Sequence, residues 1–449
     1  MQQWLKISLM LCTFGFLKEI RPSEPFIVDY LAGPWRNLTM NEVLQEGFPV
    51  GTYSYLAQLA IIFLITDLLR YKPLIVVNGL AGIIVWSMLI WTTSLAGLKG
   101  LEVFYGTYCA AEIAYYSYIY AKVDREHYQK VTSHTRAATY SGKFLAGVLA
   151  QLLVYFEAMD YKQLNYLSLA AQICATLWAF ALPPVKTSMY FHRRTVTDET
   201  GPAVLNEHDS DKNSDENSTA RLSKKRRLMA AFVLIWVHFR TSFTNLIVLQ
   251  WSIWYALAMT GFIQVIAYIQ GLWSEVNPAQ PPIWNGAVEA ILTLLGALAS
   301  LAAGYIHGGF LKQRSSLFAL AILSLGQGGA ILFATMTKTL LISYLGYIIF
   351  GVLYAFTITV VSAEIAKNIS DDTFGLVFGF NTLVALSLQT LLTYAVTDAD
   401  GWFALDVIGQ FTVYGYYFVA LSGIYLIFLI VEIISTTFCR RRKDDNNTL

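Results

Sequence analysis

The chain alternates long apolar runs with shorter polar connections. About twelve runs are visible, and they are roughly 18 to 25 residues long, the length at which an α-helix crosses a bilayer. Alternating segments of about ten residues, typical of a transmembrane β-barrel, are absent. The pattern therefore predicts an all-α, polytopic membrane protein. The predicted spans lie near residues 4–20, 52–69, 74–97, 101–123, 137–158, 164–185, 248–271, 284–306, 316–336, 340–366, 374–398 and 408–435.

A polar, charged segment at 192–227 separates six runs from the six that follow. We therefore expect an N-terminal six-helix half at 1–191, a cytosolic loop at 192–227, a C-terminal six-helix half at 228–436 and a cytosolic tail at 437–449. Two six-helix halves are the architecture of the major facilitator superfamily, in which the halves rock around a central site. Asp67 and Arg70 lie where that superfamily has a charged turn, or mark an ordinary helix end. The amphipathic segment after residue 228 is predicted to lie on the membrane surface.

Basic residues in the short connections set the predicted orientation. Lys and Arg are enriched in cytosolic loops of membrane proteins, and they fall on one side here if both termini are cytosolic. Asn37, which begins an Asn-Leu-Thr sequence, then lies outside, where it is a candidate for glycosylation. The basic groups are Arg70 with Lys72, 122–136, 224–227, Lys312 with Arg314, and 440–443.

The composition is typical of a membrane protein and, together with the motifs that are missing, argues against several classes of function. Hydrophobic residues make up 56% of the chain and charged residues 14%, against about 25% charged in a typical soluble domain. The net charge of +1 gives no reason to expect a nucleic-acid partner. Metal-ligand spacing, a nucleophile elbow and a phosphate-binding glycine loop are all missing from the sequence. We therefore expect an integral membrane protein that is not an enzyme and binds no metal or cofactor.

Glu112 lies in the middle of the fourth run, about eleven residues, or ~16 Å, from either end. An ionisable group at this depth costs roughly 2.5 to 3.5 kcal/mol on insertion scales, so it normally faces a cavity or a partner. Tyr115 and Tyr116 follow one turn later on the same face. A carboxylate flanked by phenol rings suits an aromatic cation. The alternative is a protonated glutamate hydrogen-bonded to a neighbouring helix.

Glu24 is expected at the outer end of the first span, between Pro22 and Pro25. The prolines remove backbone donors and open the helix, leaving carbonyls that can serve a ligand or ion. A local ion pair between Arg21 and Glu24 is the structural alternative. Glu24 is therefore a second candidate contact for a cation.

Polar residues of the second half are further candidates for lining the site. Asn285 and Glu289 are four residues apart on one helical face, Gln264 belongs to the seventh span and Gln389 to the eleventh. Amides in membrane helices also form interhelical hydrogen bonds, so each can have a structural role instead. Lys143 of the fifth span either extends its charge to the cytosolic surface or pairs with Glu112 when the site is empty.

Six short motifs occur in order along the chain: RPSEPF at 21–26, TYSYL at 52–56, TDLLRYKP at 66–73, EIAYYSYIY at 112–120, WNGAVEA at 284–290 and LVFGFNT at 376–382. They resemble the reduced folate carrier and thiamine transporter family, solute carrier family 19, and the resemblance covers nearly the whole chain. It implies that Glu112 separates thiamine carriers, which have Glu there, from folate carriers, which have a basic residue. It also implies that Gln389 and Gly351 stand where folate carriers have Lys and Arg, whereas Gly51 replaces a tryptophan of the thiamine carriers.

The expected function is a plasma-membrane carrier that takes up thiamine or a close cationic analogue by alternating access. Glu112 and Glu24 would contact the cation, Tyr115 and Tyr116 would stack, and Asn285 with Gln389 would orient it. Glu112 or Glu24 would also exchange protons with the substrate. Two alternatives stay open: folate exchange, with Lys143 supplying a cation, and a membrane receptor or scaffold that no longer transports.

Overall fold

The computed structural model describes residues 3–66, 68–123, 127–185, 229, 233, 235–276, 284–305, 313–369 and 373–447. The charged segment at 192–227 and Asp67 lie outside these residues. The helices of the first half are α1 (Gln3–Lys18), α2 (Ile27–Ala32), α3 (Phe48–Thr66), α4 (Lys72–Trp91), α5 (Leu95–Lys122), α6 (Tyr128–Tyr155) and α7 (Tyr161–Ala181). Those of the second half are α8 (Leu246–Val276), α9 (Asn285–Tyr305), α10 (Gln313–Met336), α11 (Leu340–Lys367), α12 (Phe374–Val396) and α13 (Val407–Asn447).

Each of the twelve predicted spans coincides with one of the long helices. Among the described residues, nine helices are long and apolar enough to cross a membrane. The other three are α1, α3 and α5. Helix α1 has only 16 residues, and α5 contains Lys99, Glu102, Glu112 and Lys122, which lower its hydropathy. The prediction of an all-α polytopic protein is confirmed.

The first crossing opens at the two prolines, as expected, but it then continues as a second helical segment, which was not predicted. Helix α1 ends at Lys18, a short 3₁₀ turn covers Glu24–Phe26, and α2 continues from Ile27. Pro22 and Pro25 explain the break, because proline lacks the backbone N–H and clashes with the preceding turn. Glu24 therefore lies between two helical segments, not at the end of the first span.

The two halves pack through two pairs of helices. Within the halves, α5 packs against α3 and α4, and α10 packs against α13. Between the halves, α6 packs against α9 and α3 packs against α12. Gly147 of α6 makes the first of these contacts close: a Cβ built there would lie 2.9 Å from the Gly286 carbonyl oxygen and 2.9 Å from the Ala290 nitrogen.

Hydrogen bonds tie the halves together on the side opposite the termini. Gln270 of α8 donates to the Glu24 carbonyl at 2.8 Å and accepts from the Val28 amide at 3.1 Å. Five further hydrogen bonds between the halves also lie towards this side and hold it together. They are Ser274–Asp29, Gln151–Ala287, Gln45–Leu405, Gln45–Ala399 and Tyr53–Asp398.

The close approach at Gly147 predicts that a single methyl group destabilises the protein. We expect Gly147→Ala to lower the free energy of unfolding by about 1–3 kcal/mol, because overpacking forces the backbones apart. Gly329→Ala is the matched control, since a Cβ there has nothing within 4 Å and alanine is the better helix former. Thermal unfolding in detergent measures both. Equal melting temperatures for the two variants would contradict the packing described for α6 and α9.

Candidate functional site

The break in the first crossing leaves backbone carbonyls without helical partners, and side chains from other helices donate hydrogen bonds to them. The Lys18 carbonyl accepts hydrogen bonds from Gln172 at 2.8 Å and from the Tyr108 hydroxyl at 3.3 Å. The Glu24 carbonyl accepts from Gln270. Ser23, within the break, bonds to the Ser168 hydroxyl at 2.9 Å. The two carbonyls at Lys18 and Glu24 are thus occupied by protein donors and hold the break in a fixed geometry.

Lys18 places a buried ammonium group directly beside Glu112. Its Nζ donates to Oε1 of Glu112 at 2.5 Å and lies 3.1 Å from Glu19. The Lys18 side chain is only 1% exposed, and a buried charge is tolerated only when it is paired and hydrogen-bonded. Glu112 therefore lies against a cation, whereas the alternative considered from the sequence was a protonated glutamate hydrogen-bonded to a neighbouring helix.

The ion pairs continue along the break as a charged cluster, formed by Lys18, Glu19, Arg21, Glu24, Glu112 and Lys143. Arg21 bonds to Glu19 and, at 2.6 Å, to Glu24, so the local pair considered from the sequence is present. Lys143 lies 3.9 Å from Glu19. The expectation that Lys143 pairs with Glu112 is wrong here, because Lys18, at the end of α1, already holds that carboxylate.

Glu112 keeps part of its carboxylate available. Its side chain is 30% exposed, and Lys18 engages one of the two oxygens, so the second can accept a donor from a ligand. Helix α5 starts at Leu95, earlier than predicted, which places Glu112 ~25 Å from one helix end and ~15 Å from the other. The carboxylate is therefore deep in the bilayer, although nearer the side of the termini than expected.

The two tyrosines after Glu112 have different surroundings. Tyr116 is 36% exposed and can present a ring face to a ligand. Tyr115 is buried, donates its hydroxyl to the Leu11 carbonyl at 3.0 Å and packs on Phe14 at a ring-centroid distance of 5.4 Å. Tyr115 therefore joins α5 to α1 in this conformation, and Tyr116 is the ring that a flat cation can reach.

Two predicted residues of the second half lie at the start of α9, next to the first half. Glu289 accepts a hydrogen bond from the Tyr347 hydroxyl at 2.9 Å, and its carboxylate interacts electrostatically with Lys143 and Glu24. Asn285 is buried and accepts from the Tyr344 hydroxyl at 2.9 Å. The structure thus brings Glu289 towards the charged cluster from the opposite half, while Asn285 is held one turn away.

The two predicted glutamines lie inside the second half. Gln264 is fully buried and bonds to Tyr414 at 3.0 Å, to Thr393 at 3.0 Å and to Thr397 at 3.3 Å. Gln389 is 2% exposed, and its Oε1 has no hydrogen-bond partner among the described residues. Gln264 therefore joins helices α8, α12 and α13, and the structure does not bring it to the charged cluster.

Lys18 and Glu19 are site residues that were not predicted from the sequence. Both lie at the end of an apolar run, where charged residues normally mark the membrane surface. The available signal was the proline pair just beyond them, because a helix that breaks and then continues as α2 places the residues before the break inside the membrane.

The architecture alone indicates which class of membrane protein this is. Two packed helical halves, a broken first crossing and a charged cluster deep in the bilayer are features of a major-facilitator-type membrane transporter. Solved structures show the same fold. The POT family transporter PepTSo has a TM-score of 0.65 at 11% identity, covering 96% of this chain and 99% of that one. The nucleoside transporter NupG has a TM-score of 0.57 at 13% identity, covering 94% of this chain and 98% of that one.

The chain belongs to the reduced folate carrier family, whose model matches residues 2–413. Thiamine transporter 1 of Mus musculus is 39% identical over 99% of this chain and 93% of its own length. Thiamine transporter 2 of Homo sapiens is 38% identical over 94% of this chain and 89% of its own length. Folate transporter 1 of Caenorhabditis elegans is 35% identical over 96% of this chain and 93% of its own length. The resemblance seen in the motifs is confirmed.

The ion pair between Lys18 and Glu112 predicts that substitutions at the two positions have non-additive effects on the free energy of unfolding. We expect Lys18→Met to lower the free energy of unfolding by about 3 kcal/mol or more, because it removes the cation of Glu112 and one of the cations beside the buried Glu19. Adding Glu112→Gln should recover part of that loss, since one of the unpaired charges is then removed. Thermal unfolding of the single and double variants measures the coupling.

Lys99→Met is the control for removing a lysine, because Lys99 and its partner Glu46 are about 40% exposed and such pairs contribute about 0–1 kcal/mol. Strictly additive effects of Lys18→Met and Glu112→Gln would show that the two side chains do not interact.

Proposed function

We propose that the protein takes up thiamine or a close cationic analogue by alternating access. Relatives named thiamine transporters, matched over nearly the full length of the chain, support this substrate. The observation that carries the proposal is the partly exposed carboxylate of Glu112, deep in the bilayer beside an accessible tyrosine ring. A permanent positive charge on a flat ring matches that pair of groups.

The charge around the site favours a cation over a folate. In the charged cluster, Lys18, Arg21 and Lys143 are balanced by Glu19, Glu24 and Glu112. Glu289 adds a carboxylate that is bonded to a tyrosine. The region is therefore neutral to acidic, and a substrate with two carboxylates would meet like charge, which costs several kcal/mol. Lys143 does not supply a spare cation for folate, because it lies beside Glu19.

The proposed binding step is inferred from the contacts that surround the Glu112 carboxylate. The substrate cation would approach the free oxygen of Glu112 and share the carboxylate with Lys18, while Tyr116 stacks on the ring. Glu24 and Glu289 would add acidic contacts from the break and from α9. Asn285 and Gln389 would orient the substrate through their amide groups once the halves rearrange. Rocking of the halves about α6–α9 and α3–α12 would then expose the site to the other side.

Cellular placement is part of the same proposal. We place the protein in the plasma membrane with both termini cytosolic; the basic residues of the short loops support this orientation. Asn37 then lies outside. It is exposed, with a positive φ of 55°, and is accessible as a glycosylation acceptor. Nearby, hydrogen bonds from Thr39 hold the pKa of the Glu42 carboxyl below its usual range.

The test is uptake of labelled thiamine and labelled folate by cells that express the chain or Glu112→Gln. We expect the wild type to take up thiamine, with folate competing weakly. Glu112→Gln keeps the size of the side chain but removes its charge, and a charge-assisted hydrogen bond contributes about 1.5–3 kcal/mol. The apparent affinity for thiamine should therefore fall about 10- to 100-fold.

Glu46→Gln is the matched control, because Glu46 is a surface acid paired with Lys99, and thiamine uptake should stay at the wild-type level. Amounts of each variant at the cell surface are measured alongside. Thiamine uptake that is unchanged in Glu112→Gln, or folate uptake that exceeds thiamine uptake, would contradict the proposed function.

A further inference from the structure

A short helix precedes α8 and takes no part in the site described above. It covers 235–243, and we call it the linker helix. The chain turns at 244–245, and Asn245 then begins the next helix: its Oδ1 accepts from the Ile247 amide at 3.0 Å, and its carbonyl accepts from the Leu249 amide at 2.9 Å. Six crossings precede α8, so its start lies on the side of the termini. The linker helix therefore lies on that side, just before the chain enters the membrane.

One face of the linker helix packs on the second half. Phe239 and Phe243 contact Phe380 of α12 at ring-centroid distances of 4.7 Å and 5.2 Å. Gly379, the preceding residue of α12, contacts the first half, because a Cβ built there would overlap with the ring of Phe63 of α3. The linker helix thus packs on α12 at the point where α12 meets the other half.

The opposite face of the linker helix is apolar and exposed. Val233, Trp236 and Arg240 follow one another at intervals of three and four residues, which places them on one helical face. Trp236 is 64% exposed, and Met229, Val233 and Val237 are exposed as well. We call these four apolar residues and Arg240 the exposed stripe. It is a row of apolar side chains with a cation near its end.

The exposed stripe fits neither water nor the interior of the hydrocarbon layer. A contiguous apolar surface with a polar rim marks a contact with a membrane or a partner. Arg240 has no ion-pair partner among the described residues, and an unpaired guanidinium is costly within hydrocarbon. Tryptophan is enriched where lipid headgroups meet acyl chains. An amphipathic helix of this composition lies in that boundary, with its apolar face towards the acyl chains.

The charge of this part of the chain favours an anionic headgroup. Arg240 is exposed and needs a counter-charge. The sequence has four further basic residues at 224–227, outside the described residues. Glu364, an acid near the same end of α11, is already paired with Lys367 at 2.6 Å. Basic residues beside a membrane-surface helix attract anionic lipids, whereas a zwitterionic headgroup offers no net charge.

We propose that the exposed stripe binds anionic phospholipids of the cytosolic leaflet. Trp236 and the three aliphatic side chains contact the upper part of the acyl chains, and Arg240 binds the anionic groups of the headgroup. Bound lipid holds the linker helix on Phe380 and so stabilises the packing of α12. The inference goes beyond the proposed carrier function and does not depend on which substrate is carried.

The experiment titrates phosphatidylserine into the purified full-length protein in a neutral detergent and records the melting temperature at each concentration. Phosphatidylcholine and inorganic phosphate are titrated in parallel, because the first has no net charge and the second has no acyl chains. We expect phosphatidylserine to raise the melting temperature of the wild type by about 2 °C or more beyond the effect of phosphatidylcholine. Inorganic phosphate should leave it unchanged.

Two substitutions test the two parts of the exposed stripe. Arg240→Gln should raise the phosphatidylserine concentration that gives half of the shift about fivefold, the effect of one basic residue at an anionic surface. Trp236→Gln should reduce the shift with both lipids, because it removes the largest apolar contact. Lys338→Gln is the matched control: Lys338 is an exposed basic residue between α10 and α11, at the opposite end of the bundle, and its titration should match the wild type.

Equal shifts with the two lipids in the wild type, or an unchanged phosphatidylserine titration in Arg240→Gln, would overturn the proposal. A shift with inorganic phosphate alone would assign the effect to a free anion and would also overturn it. Light scattering tests for a second copy as the occupant: a dimer that Trp236→Gln converts to monomers would contradict lipid binding by this face. These measurements contain no thiamine, so their outcome and that of the uptake test are independent.

Discussion

The ion pair between Lys18 and Glu112 is the interaction on which the centre of the protein depends. A charge inside the membrane must be paired, and here the pairing needs a helix that ends in the bilayer. Pro22 and Pro25 end α1 at that depth, and hydrogen bonds from Gln172 and Tyr108 take up the Lys18 carbonyl. The break and the charged cluster therefore support each other: without the break, Lys18 and Glu19 would not meet Glu112 and Arg21 in this arrangement.

This pairing also explains how a carrier keeps an acid available without leaving it unpaired. The charges of the cluster balance one another within the protein, and Lys18 engages only one oxygen of the Glu112 carboxylate. In the proposed function, a substrate cation would bind by sharing that carboxylate with Lys18.

The twelve spans and the family could be predicted from the sequence, because run length and motif order depend on local residues. Glu112 could be singled out, because a lone acid in an apolar run is visible without a structure. Its partner could not, since Lys18 is 94 residues away and lies where a helix end was expected. The difference between Tyr115 and Tyr116 also depends on packing against α1, and Gln264 is indistinguishable in sequence from a ligand-binding amide.

The most direct test of this account compares equilibrium binding of thiamine with that of a neutral isostere that lacks the thiazolium charge, on purified wild-type protein. A site in which Glu112 meets a cation predicts that thiamine binds at least about tenfold more tightly, equivalent to about 1.4 kcal/mol. Equal affinities for the two compounds would contradict the central role given to that carboxylate.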